Sequence, residues 1–306
     1  MCATMKKRNL ILFLVHLALL GCLSLAVIKF AEEIVNFKQT LYYAMLPESE
    51  KPENPECSIT SLQPAVIQGD EWFLDAPLIY HAGGQINGHT YTNSAEAVQK
   101  TLSEGNCFIE IDFAYTSDNR LVCVHGWDDV YMEEYIPTLE EFLSTKIQGK
   151  YTPMTAEDLI HIMKENPQMY LITDTKEEDL VSVIADLAEL TQWDSSILDR
   201  FIIQLYLGSE KEGILEVYPF RDSQFLLTVY KLNEWPRQVG HICSQYQISV
   251  ITLPHQDTAP ADIAMLREYG YTLYEFTVNR PDFAVQSLKN GISGFYTDCL
   301  SPTDLP

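Results

Sequence analysis

Short apolar runs alternate along this chain with longer stretches whose apolar positions recur every three or four residues. Nine runs read as strands: 78–81, 107–114, 121–125, 169–172, 201–205, 225–229, 250–253, 273–278 and 294–296. Helical patterns stand between several of them, over 94–104, 155–166, 178–190, 261–268 and 282–290, with a shorter piece at 139–143. Asn93 or Ser94 caps the first of these helices, Thr155 with Asp158 caps the second, and Gly105 and Gly291 follow helix ends. Strand–helix alternation of this kind predicts a parallel α/β sheet, and its length suits a TIM (β/α)8 barrel over 66–306. Nine strand-like runs for eight places means that one lies outside the barrel or is not a strand. No glycine fingerprint for a dinucleotide follows any strand, which argues against an open Rossmann-type sheet.

The polar positions carry the chemistry. In the stretch from Ile109 to Asp129, Glu110 and Asp112 sit two apart on one strand, so both point to one side while Ile109, Ile111 and Phe113 point to the other. Two adjacent carboxylates repel unless a cation or a proton lies between them, and hard divalent ions take oxygen ligands. His125 ends the next apolar run, and His81 ends the first one just before Gly83-Gly84. Both are candidates for proton transfer. Asp174 ends the run 169–172, with Lys176 two residues on and on the same face. The connection 126–153 is long enough to form a rim over a pocket, and Trp127, Tyr131 and Tyr135 within it are candidate pocket walls. Gln204 at a strand tip is a candidate substrate contact, as is His255 after Leu253-Pro254, whereas Asp298 reads as a structural turn.

Before the domain, Lys6-Lys7-Arg8 precedes an apolar stretch from Leu10 to Ile28, long enough to cross a bilayer as a helix. Segment 1–30 therefore reads as a transmembrane signal-anchor with its N-terminus in the cytoplasm, and a cleaved signal peptide is the competing reading. Segment 31–65 reads as a membrane-proximal helix followed by a proline-rich tether. The expectation is a single-pass protein of the cell membrane with its large domain outside.

Charge narrows the partners. A net charge of −23 opposes nucleic acid, whose phosphates need a Lys/Arg footprint. One anionic substrate remains possible where a metal or a local Lys reverses the field. The seven Cys contain no C-x-x-C pair, so no zinc site is suggested.

Taken in order over roughly 78–300, these residues resemble the glycerophosphodiester phosphodiesterase family, within the wider group of phospholipase-C-like barrels. His81-Ala82-Gly83 stands where that family has His-Arg-Gly, and Asn93-Ser94 where it has Asn-Thr. Glu110 and Asp112 match Glu-x-Asp, His125-Gly126 matches His-Asp, and Asp174 with Lys176 matches Glu-x-Lys. Phe276-Thr277-Val278-Asn279 matches Trp-Thr-Val-Asn, and Gly291, Gly294 and Thr297-Asp298 match the closing motif. The resemblance implies a divalent metal, Mg²⁺ or Ca²⁺, held by Glu110, Asp112 and Asp174. It implies that His81 and His125 share the proton transfers while Lys176 offsets phosphoryl charge. Phe276, Trp127 and Gln204 would contact substrate. The substrate would be a small-molecule or lipid-derived phosphodiester, attacked by water or by one of its own hydroxyls. Four positions depart from the pattern. Ala82 removes the Arg that would grip phosphate, and Gly126 removes an Asp beside His125, for which Asp128 or Asp129 could stand in. Phe276 loses a donor, and Asp174 is the shorter acid found in sphingomyelinase-D-like enzymes. A cyclic-phosphate product and a barrel that binds without turnover are the alternatives these departures leave open.

Overall fold

The computed structural model describes residues 72–306 apart from 75, 128–129, 131–134, 231–235 and 256–257. The expected anchor at 1–30, the segment 31–65, Asp128, Asp129 and Tyr131 lie outside the described residues. Among the described residues, no helix is long and apolar enough to cross a membrane.

The described residues form ten strands in chain order: β1 (Leu78–Tyr80), β2 (Phe108–Tyr115), β3 (Leu121–Cys123), β4 (Met154–Thr155), β5 (Tyr170–Thr175), β6 (Phe201–Leu205), β7 (Phe225–Thr228), β8 (Val250–Pro254), β9 (Thr272–Phe276) and β10 (Gly294–Thr297). Eight of them, β1, β2 and β5 to β10, pair in parallel, and β1 closes the ring by pairing with both β10 and β2. The two remaining strands form an antiparallel ribbon, β3 on β2 and β4 on β3. The strand expected to lie outside the barrel is thus the one ending near His125, and the sequence pattern missed the two-residue β4. The missed strand is too short to show a period.

Among the described residues, nine α-helices accompany the strands: α1 (Ala95–Ser103), α2 (Leu139–Ser144), α3 (Ala156–Glu165), α4 (Leu180–Leu190), α5 (Ser195–Leu198), α6 (Glu210–Val217), α7 (Pro236–Gln245), α8 (Pro260–Glu268) and α9 (Pro281–Asn290). Ser94, rather than Asn93, caps α1 by accepting from the Ala97 N–H, and Thr155 with Asp158 forms the expected capping box of α3. Three helices, α5, α6 and α7, were not anticipated. The first is a single turn, the second carries Gly213, and the third has few apolar positions.

Alternation along each strand separates two cores. Ile109, Ile111 and Phe113 of β2, with Leu171 and Ile203, face the helices. Ile79, Ile172, Ile202, Leu226, Val250, Tyr274 and Tyr296 fill the barrel interior. Trp72 closes the end of the barrel where the strands begin. Its ring lies 5.9 Å from Phe108 and 5.8 Å from Tyr274, and its indole N–H donates to the Ser223 carbonyl at 2.7 Å. Above the apolar layers the interior turns polar, with Glu110, Gln204, Thr228 and Thr252 all buried. Replacing Trp72 by Ala should cost roughly 3–5 kcal/mol and lower the melting temperature by about 10 °C. Thermal unfolding checks this, and binding of ligands at the opposite mouth should persist below the new Tm.

Candidate active site

A period of two carries each strand from the apolar layer to the mouth at its C-terminal end. Ile79 leads to His81, Glu110 to Asp112, Ile172 to Asp174 and then Lys176, Gln204 to Tyr206, Thr228 to Tyr230, and Tyr296 to Asp298. The register of β2 with β5 sets Asp112 directly beside Asp174. Ligand oxygens of Glu110, Asp112 and Asp174 all lie within 4.8 Å of one another, and all three side chains are buried. Two full charges at that range repel by roughly 3–4 kcal/mol at an effective dielectric of about 20.

The surroundings hold these carboxylates but pair only one of them, Asp174, with a cation. Glu110 Oε2 accepts the Ala82 backbone N–H at 2.7 Å, while its Oε1 is buried with no hydrogen-bond partner. Asp112 is fixed on both sides by Asn93, whose Nδ2 donates to Oδ2 at 2.9 Å and whose Oδ1 accepts the Asp112 N–H at 3.1 Å. Asp174 accepts from the Tyr206 hydroxyl at 2.7 Å and from Lys176 Nζ at 2.9 Å. Burial, then the charges of Asp112 and Asp174, push the Glu110 carboxyl well above its usual range. Burial and Asp174 raise Asp112, partly countered by His125 and Asn93. Burial works against the charge of Lys176, but Asp174, Tyr230 and Asp112 together outweigh it, so the ammonium is held above its ordinary value. An orphaned, buried carboxylate oxygen among three oxygen ligands fits a hard divalent cation.

Both expected histidines reach this cluster, by different routes. His81 follows β1 directly, and its Nδ1 meets Asp298 Oδ1 at 3.0 Å. Asp298 is itself held by Asn279, which donates to Oδ2 through Nδ2 and accepts the Asp298 N–H at 2.8 Å. An ionised carboxylate only accepts, so Nδ1 of His81 carries the proton and Nε2 is left as the acceptor. His125 is not on a barrel strand: β2 runs past the barrel, and β3 folds back so that the Val124 N–H reaches the Asp112 carbonyl at 3.0 Å. That return places His125 within electrostatic reach of Asp112.

Between the histidines lies Tyr91, its ring centroid 4.3 Å from His81 and 5.3 Å from His125. Burial, followed by Asp298, Asp112 and Glu110, pushes its phenol up to about 12, so it stays protonated. The opposite side of the mouth is aromatic, with Tyr206 stacked on Tyr230 at 6.1 Å and Tyr230 edge-on to Phe276 at 5.4 Å. Gln204 is 6% exposed; its amide donates to the Tyr206 hydroxyl at 3.2 Å, and its oxygen accepts from the Tyr296 hydroxyl at 3.1 Å. Trp127 packs edge-on against Phe142 at 5.7 Å, within the cluster beneath the rim. His255 pairs instead with the buried Glu275 at 2.8 Å.

Asp298, Asn93, Tyr91, Tyr206 and Tyr230 were not singled out as site residues from the sequence. Extending the strand period two residues past Gln204 and Thr228 reaches the last two. Nothing local marks Asp298 as a partner of His81, 217 residues away. Asp298→Asn should release the tautomer of His81, seen as movement of its ring ¹⁵N shifts away from an Nδ1–H pattern. Unchanged shifts would mean that the carboxylate does not orient the ring.

No family model and no curated protein matches the chain. Solved structures do. A glycerophosphoryl diester phosphodiesterase structure from Agrobacterium tumefaciens str. C58 aligns with a TM-score of 0.60 at 19% identity, covering 73% of this chain and 93% of that one. A phosphodiesterase of Oleispira antarctica, solved with the product sn-glycerol-3-phosphate, aligns with a TM-score of 0.61 at 15% identity over 73% and 93% of the two chains. A glycerophosphodiester phosphodiesterase from Thermotoga maritima gives 0.57 at 14% identity, over 73% and 94%. The described domain therefore has the barrel fold of the solved glycerophosphodiester phosphodiesterases.

Proposed function

We propose that this chain is a metal-dependent phosphodiester hydrolase of the glycerophosphodiester phosphodiesterase family. Its substrates would be glycerophosphodiesters or related lipid-derived diesters, cleaved to an alcohol and a phosphomonoester. The observation that carries this reading is the buried Glu110–Asp112–Asp174 cluster with its unpartnered Oε1, flanked by two histidines and a lysine. The fold likeness supports it, and so does the glycerol phosphate product in the Oleispira antarctica structure.

The three carboxylates would hold Mg²⁺ or Ca²⁺, which when bound supplies positive charge to the phosphoryl oxygens. His81 presents Nε2 as a proton acceptor because Asp298 occupies Nδ1, which suits it to take the proton of the attacking water, or of a substrate hydroxyl where a cyclic ester forms first. His125 is then the donor to the departing alkoxide. Lys176, tethered to Asp174 and Tyr206, adds charge on the far side of the acids. With Ala82 in the place of an arginine, the phosphate grip falls to Lys176 and the cation. The run from Leu10 to Ile28 supports tethering of the domain to the outer face of a membrane.

His81→Ala or His125→Ala should lower kcat at least 10²-fold on glycerophosphodiesters, and a chelator should abolish turnover. Full activity after either treatment would overturn the reading, and phosphorus NMR distinguishes a linear monoester from a cyclic product. Cation binding has its own signature. Raised carboxyl pKa values mean that protons compete with the cation, and that these groups' contribution to stability in cation-free protein is lost as pH rises through their folded values. Millimolar Ca²⁺ or Mg²⁺ should therefore raise the melting temperature more at pH 8 than at pH 5, by about 2.7 kcal/mol of stability at a hundred times Kd. In Glu110→Gln protein the increment should shrink at both pH values.

A further inference from the structure

Tyr91 is a partly exposed aromatic residue, 42% accessible, standing where two proposed proton-transfer groups face the same reacting atoms. Both imidazole rings meet its ring nearly at right angles, at 89° and 79°. The ring sits on the β1–α1 connection and stands over the mouth, with the charges of Asp298, Asp112 and Glu110 all acting on its phenol.

The backbone that carries it is held on both sides. Tyr91 itself has φ +57°, and Asn87 and Asn93 in the same connection are at +50° and +45°. Asn adopts this region readily, whereas a bulky residue such as Tyr needs its surroundings to hold it there. Here Ile86 and His89 exchange backbone hydrogen bonds at 2.9 Å, Gln148 Nε2 donates to the Thr90 carbonyl at 2.8 Å, and the Asn93 N–H donates to the Ala82 carbonyl at 3.1 Å. Tyr151 closes the far side by donating to the Ile86 carbonyl at 2.9 Å. The loop is thus a fixed bracket, and the freedom left to Tyr91 is rotation of its side chain.

A phosphodiester engaging both histidines has its attacking and leaving oxygens on opposite sides of phosphorus, one toward each imidazole. The arms that continue from those oxygens then run past the phenol ring. We propose that Tyr91 is a specificity-determining residue, whose ring admits a slim polyol arm between the histidines and turns away a branched, acylated one. This rests on the phosphodiesterase reading above. The ring does the excluding, so Phe should preserve the selection and Ala should relax it.

The test compares two diesters that share a phosphoglycerol group, glycerophosphoglycerol and dihexanoyl-phosphatidylglycerol, on the full chain with Mg²⁺ or Ca²⁺. The wild type should favour the deacylated diester, Tyr91→Phe should keep that preference, and Tyr91→Ala should reduce the ratio of kcat/KM values at least tenfold, chiefly through KM for the acylated diester. A ratio unmoved by Tyr91→Ala, or moved equally by Tyr91→Phe, overturns the proposal. Calorimetric titration of the same two diesters into His125→Ala and His125→Ala/Tyr91→Ala proteins reads the selection without turnover. A relaxed affinity ratio in a protein whose wild type hydrolyses nothing keeps the role of Tyr91 and rejects the hydrolase reading. Equal ratios in the two backgrounds, or no binding of either diester, reject the role of Tyr91.

Discussion

Three buried carboxylates within 4.8 Å of one another set the electrostatic problem that the mouth of this barrel has to solve. No fold places Glu110, Asp112 and Asp174 together without a compensating positive charge or a bound proton, because burial and mutual repulsion both act against their ionised forms. Lys176 compensates Asp174, and Asn93 and the Ala82 N–H satisfy single oxygens of the other two. One oxygen of Glu110 has no partner, and it faces a cluster that already carries more negative charge than its neighbours neutralise. The rest of the mouth follows from this imbalance. The histidines and the lysine are arranged round it, and the barrel supplies the rigidity to hold repelling groups in place.

That rigidity has a visible origin. The lower barrel is a dry core of Ile79, Ile172, Ile202, Leu226, Val250, Tyr274 and Tyr296, closed beneath by Trp72. The change from apolar to polar occurs within single strands, one inward position to the next. Ile172 is followed by Asp174, and Ile202 by Gln204. A strand has no slack at that boundary, since a slip of one residue would send the acid into the helical layer and an isoleucine into the mouth. The apolar layer therefore fixes the register that places the acids.

The ribbon of β3 and β4 solves a different problem. A barrel strand delivers one or two residues to the mouth, and β2 has already delivered Glu110 and Asp112. By overrunning the barrel and turning back at Ser117 to Asn119, the chain brings His125 to the same place without another barrel strand. The first connection does similar work from the other side, carrying Tyr91 and Asn93 in left-handed backbone conformations. The geometry of the mouth thus rests on two irregular pieces pinned to a regular frame.

Much of this was legible in the sequence. The two periods, near 3.6 and 2, are local properties of the chain, so the parallel barrel, the shared face of Glu110 and Asp112, and the pairing of Asp174 with Lys176 could be read directly. His81 and His125 stood out because each ended an apolar run. The sequence left open which of nine strand-like runs lay outside the barrel, since a run's hydrophobicity is blind to its pairing partner. It also could not show that Asp298 faces His81, that Asn93 serves Asp112 instead of capping a helix, or that Tyr91 stands between two histidines. Those relations join positions up to 217 residues apart. The first exists only once ring closure brings β1 against β10, and the others only once β1 and its connection lie against β2 and β3, so the sequence determined the layers and the tertiary structure alone decided which side chains meet.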